Sequence, residues 1–155
     1  MKKRIVFGLL IILLLPLFIA VKSEALTNEE NTYITQKDIL GAKMIAKLDD
    51  LSNALQDISD TKNIDYDYLI KLAKDIDKIT YDAYDIDCPP RFKGSHKYYL
   101  QAMDNIHEFA QLFITALSEN DTKKLNTAFD IIVEASHNID KSNELFAMEL
   151  KEESI

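Results

Sequence analysis

The chain has 155 residues with 18 basic and 26 acidic side chains, which gives a formal net charge of −8. This charge repels phosphate backbones and anionic lipid, which argues against nucleic-acid binding. The one cysteine, Cys88, cannot form a disulfide within the chain, so apolar packing must stabilise the fold. The thiol is therefore either free or joined to a second chain.

Residues 1–25 have the pattern of a secretory signal peptide. Three basic residues at positions 2–4 precede an uncharged apolar run over residues 5–21, and Ser23 and Ala25 offer a small-residue cleavage site. Cleavage predicts a secreted or extracytoplasmic protein. The length of the run lies between that of a signal core and that of a spanning helix, so the alternative is an uncleaved membrane anchor through residues 5–21.

Residues 26–155 are predicted to form a single domain with a core over about residues 35–150. This part of the chain carries 14 basic and 25 acidic residues, a net charge of −11. It contains only two glycines and two prolines, so we expect few turns and long secondary-structure elements.

Apolar residues recur at spacings of three and four and predict four helices, over residues 35–58, 65–87, 90–117 and 122–151. No segment alternates with the period of a strand, so the predicted fold class is all-α. Short connections make neighbouring helices antiparallel, and a sustained period near 3.5 favours shallow crossing angles. We therefore expect an antiparallel up-down-up-down four-helix bundle preceded by the N-terminal signal peptide.

The helix boundaries are predicted from capping and breaking residues. Thr35, with Asp38 three residues later, resembles a capping box at the start of the first helix. The polar segment 26–34 before it is expected to be a loose arm. Pro89 and Pro90 should end the second helix and begin the third, because proline breaks a helix but suits its first turn.

The third helix shows a resemblance at the level of pattern. It begins with the residues 89–92 (Pro-Pro-Arg-Phe), and His96, Tyr99 and Leu100 follow before the fourth helix. Over about residues 88–150 the chain resembles small exported helical-bundle proteins of Gram-positive bacteria, mostly of unknown function. The resemblance implies a helical fold and export, and it implies no active site.

Two acid-x-x-His motifs are the strongest indication of metal chemistry. Asp104 and His107 lie on the third predicted helix, and Glu134 and His137 lie on the fourth. Di-iron bundles use Glu-x-x-His motifs that project into the core. At 100° per residue, however, Asp104, Glu134 and His137 point away from the apolar stripes. The sequence therefore predicts solvated surface residues here and no metal ligands.

Calcium, haem and covalent catalysis are also not indicated. Asp60, Asp65 and Asp67 crowd the first connection, but the glycine that a calcium loop requires is missing, which leaves weak cation binding as the alternative. Met44 faces the core without a histidine opposite, since His137 lies off its stripe. No nucleophile motif or phosphate loop is present. We predict no catalytic residue and no cofactor.

Polar residues interrupt the apolar stripes at one level. His96 and Asn143 occupy stripe positions, and residue numbers adding up to about 239 face each other across a hairpin that turns near residues 119–120. The two side chains should therefore share a level of the core, with Thr80 and Gly41 nearby. We predict a buried polar layer of His96, Asn143 and Thr80 that fixes helix register, or alternatively a small polar pocket open to a ligand.

The functional expectation is a non-enzymatic exported bundle. It should bind a macromolecular partner or a small ligand at the cell envelope, because an export pattern and four helical stripes occur without a catalytic constellation. The alternative is a metal- or cofactor-binding bundle in the extracytoplasmic space, built on His96, His107 and His137.

Overall fold

A computed structural model describes residues 26–61 and 64–151 of the chain. The predicted signal peptide, residues 1–25, lies outside the described residues. Within them the protein is all-helical and without strands, which confirms the predicted all-α class and is compatible with a helical bundle. The four α-helices of the described residues are α1 (Asn28–Thr61), α2 (Tyr66–Asp82), α3 (Lys93–Glu119) and α4 (Thr122–Glu149), and a short 3₁₀ helix (Pro90–Phe92) precedes α3.

The start of α1 differs from the prediction. The capping box is formed by Thr27 and Glu30: the Thr27 amide donates to Glu30 Oε2 at 2.8 Å, and the Glu30 amide donates to Thr27 Oγ1 at 3.2 Å. Thr35, the predicted cap, lies inside the helix and donates its hydroxyl to the carbonyl of Asn31. The prediction of a loose arm over residues 26–34 is therefore wrong. Tertiary burial of this segment, including Tyr33 at 1% exposure, explains why it is helical.

The other helix ends follow the polar signals in the sequence more closely. Asp65 caps α2 by accepting the Tyr68 amide, while α2 ends at Asp82 and not at the predicted residue 87. Asp121 caps α4 by accepting the amides of Lys123 and Lys124.

The turn between α3 and α4 is tight. Asn120 ends α3 in the left-handed conformation with φ of 53°, a conformation that asparagine tolerates better than most residues. This position matches the hairpin turn predicted near residues 119–120.

The third and fourth helices form the closest pair. Arg91, just before α3, donates to the carbonyls of Glu149 and Leu150 at the end of α4, at 2.8 and 2.9 Å. Further along the pair, Asn138 Nδ2 donates to Asn105 Oδ1 at 2.9 Å. Since the start of one helix contacts the end of the other, α3 and α4 run antiparallel.

A wide seam separates α1 from the α3–α4 pair. Among the described residues, no Cα of α1 lies within 8 Å of a Cα of α3 or α4, whereas α1 approaches α2 and α2 approaches α3 within that distance. Helices packed ridge into groove have axes only about 8–10 Å apart. Long side chains of α1 therefore cross the seam, and Tyr33 stacks on Phe92 with ring centroids 5.4 Å apart.

Candidate functional site

The predicted polar layer is arranged differently from the expected pair. His96 and Asn143 are both half-buried. His96 Nδ1 lies 3.2 Å from the Tyr33 hydroxyl, and no hydrogen bond joins His96 to Asn143 in the described part of the chain. Thr80 is buried and donates to the carbonyl of Asp77, its own helix neighbour, at 2.6 Å.

The preceding residue on each helix forms the hydrogen bond expected at this level. Ser142 Oγ donates to the carbonyl of Ser95 at 2.9 Å, and both serines are completely buried. The hairpin register was therefore predicted to within one residue on each helix. The partner of His96 was not predicted, because the His96 side chain contacts Tyr33 of α1.

A lysine of α1 extends into the same region. Lys37 Nζ donates to Ser142 Oγ at 3.3 Å and lies 5.1 Å from the ring centroid of Tyr99 and 5.0 Å from that of Phe146. We call Lys37, Tyr99, Ser142 and Phe146 the Lys37 cluster. It crosses the seam, since Tyr99 belongs to α3 and the other two partners belong to α4. Cation–π attraction and one hydroxyl therefore hold the ammonium.

Burial sets the protonation behaviour of this cluster. Desolvation lowers the pKa of Lys37 to about 8, although the more distant carboxylates of Asp38 and Glu149 act in the opposite direction. Desolvation also raises the pKa of the Tyr99 phenol far above its ordinary value. The pKa of His96 is lowered, first by burial and then by the positive charge of Lys37. Burial thus shifts all three groups toward their neutral forms, while Lys37, with a pKa of about 8, stays mainly protonated at pH 7.

The sequence contains a signal for Lys37 that the stripe analysis missed. Lys37 lies three residues before Leu40, and Tyr33 lies four residues before Lys37, so the apolar stripe of α1 continues backward with helical spacing. The predicted start at Thr35 truncated the stripe. A search for apolar residues at helical spacing also passes over a lysine at a core position, although the aliphatic part of its side chain can cover apolar surface.

A second group of residues lies on the surface between α2 and α3. Tyr81 and Tyr84 are 56% and 50% exposed. The Tyr84 hydroxyl donates to Asp104, and the Tyr81 ring meets the His107 ring edge to face with centroids 5.4 Å apart. His107 Nδ1 in turn lies 2.6 Å from Asp77 Oδ1. We call Asp77, Tyr81, Tyr84, Asp104 and His107 the tyrosine–carboxylate surface.

The acid-x-x-His motifs do not converge. His107 contacts Asp77 of α2, and Asp104 contacts Tyr84, which lies just after the end of α2. His137 is exposed, as its helical phase predicts, and the His107 side chain is 40% exposed. Within residues 26–61 and 64–151, no group of three or more histidine, cysteine, aspartate or glutamate residues has a geometry that could hold a metal ion.

A polar cleft of about 460 Å³ lies beside the start of α1. One wall is formed by Asn28, Glu29, Thr32 and Gln36 of α1, and the other by residues 87–90. Cys88 is half-buried in that wall, and burial raises the pKa of its thiol, which disfavours the reactive thiolate.

Two further observations concern membrane spanning and similarity to known proteins. Of the described helices, none is both long and apolar enough to cross a membrane. No protein-family model, curated protein or solved structure matches this chain.

Proposed function

We propose that this chain is an exported, non-enzymatic, up-down-up-down four-helix bundle that binds a basic polypeptide at the cell envelope. The tyrosine–carboxylate surface is the observation that carries the proposal. Export rests on the signal-peptide pattern of residues 1–25, and cleavage there would release the bundle from the membrane.

The bundle topology is supported by contacts between successive helices. The α3–α4 pair is antiparallel. Asp77 of α2 contacts His107, and Tyr84, just after the end of α2, contacts Asp104 earlier in α3, as expected for antiparallel helices. Glu30 at the start of α1 lies 3.5 Å from Arg91, which itself contacts the end of α4. The start of α1 therefore lies beside the end of α4, as the topology requires.

The exposed tyrosines are suited to binding a polypeptide. Tyrosine is enriched among the residues that dominate protein–protein binding energy, because it offers a large contact area with few rotatable bonds. Contacts with Asp104 and His107 hold Tyr84 and Tyr81 in place before binding. Such preorganisation reduces the entropy lost on association.

The charge of the surface indicates a basic partner. Asp82 and Asp85 follow Tyr81 and Tyr84 directly in the sequence, and residues 79–86 contain no basic residue. Asp77 and Asp104 add two more carboxylates from the neighbouring helix faces. Lysine and arginine side chains pair with carboxylates and also stack on tyrosine rings, so this combination complements a basic segment.

Titration with a defined peptide tests the proposed surface. The probe is a hexapeptide of alternating lysine and arginine, added to the full-length chain and followed by calorimetry, with a glycine–serine peptide as the uncharged reference. The double variant Tyr81→Ala/Tyr84→Ala should bind the basic peptide about tenfold more weakly. Tyr68→Ala is the matched control, because Tyr68 is 45% exposed on another face of α2. If the double variant and the control bind the basic peptide with equal affinity, the peptide does not bind through Tyr81 and Tyr84, and the proposal is contradicted.

The alternative function is tested with the same preparation. A stoichiometric transition metal or a visible absorption band in natively purified protein would favour the metal- or cofactor-binding bundle over the proposed one. N-terminal sequencing of the exported protein should find a chain that begins at residue 24 or 26. Recovery of an intact N-terminus in the membrane fraction would instead support the anchor.

A further inference from the structure

We propose that the seam between α1 and the α3–α4 pair binds a small organic acid with an apolar body, and that Lys37 and Tyr99 hold its carboxylate. This site is independent of the tyrosine–carboxylate surface. It lies on different helix faces, and either site could bind its ligand without the other.

The first argument concerns the ammonium group of Lys37. It carries three donors, yet its one hydrogen bond within the described residues is the 3.3 Å contact to Ser142 Oγ. No carboxylate oxygen of the described residues lies within 4 Å of it, although Asp38 and Glu149 act on it from farther away. A partly buried cation without a contacting anion is costly, and a ligand carboxylate would supply that contact.

The second argument concerns Tyr99, which is 4% exposed. Its hydroxyl is buried and has no hydrogen-bond partner among the described residues. A buried hydroxyl without a partner costs about 1–3 kcal/mol of stability. The ring of the same residue lies beside the Lys37 ammonium. A carboxylate has two oxygens, so it can accept from the ammonium and from the phenol together.

The third argument concerns the charge and the apolar character of the ligand. Side chains, and not closely packed backbones, cross the seam, since no Cα of the described part of α1 lies within 8 Å of one in α3 or α4. The rings of Phe146 and Tyr99 flank the ammonium at 5.0 and 5.1 Å. A doubly charged phosphate would lose more hydration energy beside these rings than a carboxylate, so the site favours a monoanion with an apolar body.

A purely structural role for Lys37 makes different predictions. In that case its stem covers core surface, its ammonium reaches toward solvent, and no ligand binds. Octanoate distinguishes the two roles, with octan-1-ol as a probe of the same chain length without the charge. Calorimetry of the full-length chain should show octanoate binding about tenfold more tightly than octan-1-ol.

Three variants locate the binding. Lys37→Met should weaken octanoate binding about tenfold and leave octan-1-ol unchanged, and Tyr99→Phe should weaken octanoate binding by about fivefold. Lys43→Met is the matched control, an exposed lysine on the same helix, and should bind as the unmodified chain does. Far-UV circular dichroism verifies that each variant is helical. The proposal is overturned if octanoate does not bind, if it binds no better than octan-1-ol, or if Lys37→Met binds it normally.

Discussion

Replacing Lys37 by methionine should stabilise this protein. The two side chains are similar in length, but methionine carries no charge and its sulfur packs well against aromatic rings such as those of Tyr99 and Phe146. Burial lowers the pKa of Lys37 from 10.5 to about 8. This difference corresponds to about 3 kcal/mol at pH 7, which is the cost of keeping the charged amine in the folded state. Removal of the charge should therefore raise the free energy of unfolding by about 3 kcal/mol at that pH.

The same reasoning fixes the pH dependence. Between about pH 8 and pH 10.5 the unfolded chain still holds the Lys37 proton while the folded chain has released it. The unfolded state then binds more protons, so the stability of the unmodified protein rises with pH across this window. The advantage of Lys37→Met should fall to about 1 kcal/mol at pH 9.5. Burial raises the pKa of Tyr99 and Tyr33, so both phenols keep their protons in the folded protein above pH 10.0, the ordinary tyrosine pKa, where the unfolded chain releases them. These two residues therefore lower the free energy of unfolding only above that pH.

Urea unfolding followed by circular dichroism at pH 7 and pH 9.5 provides the measurement. Lys43→Met serves as the control, and its effect should be small at both values because Lys43 is exposed. A destabilised Lys37→Met variant whose difference from the parent does not change with pH would refute the reasoning. It would mean that the ammonium is well solvated in the folded protein.

Three further predictions concern the helix start and the polar residues of the core. Thr27→Ala should lower the free energy of unfolding by about 1 kcal/mol through loss of the α1 cap, whereas Thr35→Ala should have little effect. A larger loss for Thr35→Ala in urea unfolding would support a helix start at Thr35 instead. A double-mutant cycle of Tyr33→Phe with His96→Leu should show coupling, and the cycle of His96→Leu with Asn143→Leu should be additive. Coupling in the second cycle alone would favour the layer predicted from the stripes. Ser142→Ala should destabilise the protein by about 1–3 kcal/mol, and by less in the Lys37→Met background, where no ammonium loses a partner. Calorimetric unfolding of the unmodified protein, the two single variants and the double variant measures both effects.

Periodicity predicted the helical class because four long amphipathic stripes leave few alternatives. It also predicted the level at which α3 and α4 meet, since a two-residue turn at Asn120 and Asp121 fixes the hairpin register. The first turns of α1 were missed because the charged residues Glu30 and Lys37 flank the buried Tyr33 and interrupt the apolar stripe.

The candidate sites depended on information that a periodic pattern does not contain. The rotation of His96 toward Tyr33 is decided by a helix distant in sequence. The same holds for the contacts of Asp104 with Tyr84 and of His107 with Tyr81, which depend on how α2 and the residues after it pack against α3. Side-chain pairing between elements depends on helix rotation and spacing, and a one-residue error in phase corresponds to 100° around a helix.

Site-specific crosslinking in cells tests the central claim, that the tyrosine–carboxylate surface binds a basic polypeptide, most directly. A photo-reactive benzoylphenylalanine replaces Tyr84 in the full-length chain expressed in an exporting host, and Tyr68 is replaced in the matched control. The account predicts a crosslink from position 84 to a lysine- and arginine-rich segment of another polypeptide, suppressed by the basic hexapeptide and much weaker from position 68. Equal crosslinking from both positions, or crosslinks from position 84 to segments without basic residues, would contradict it.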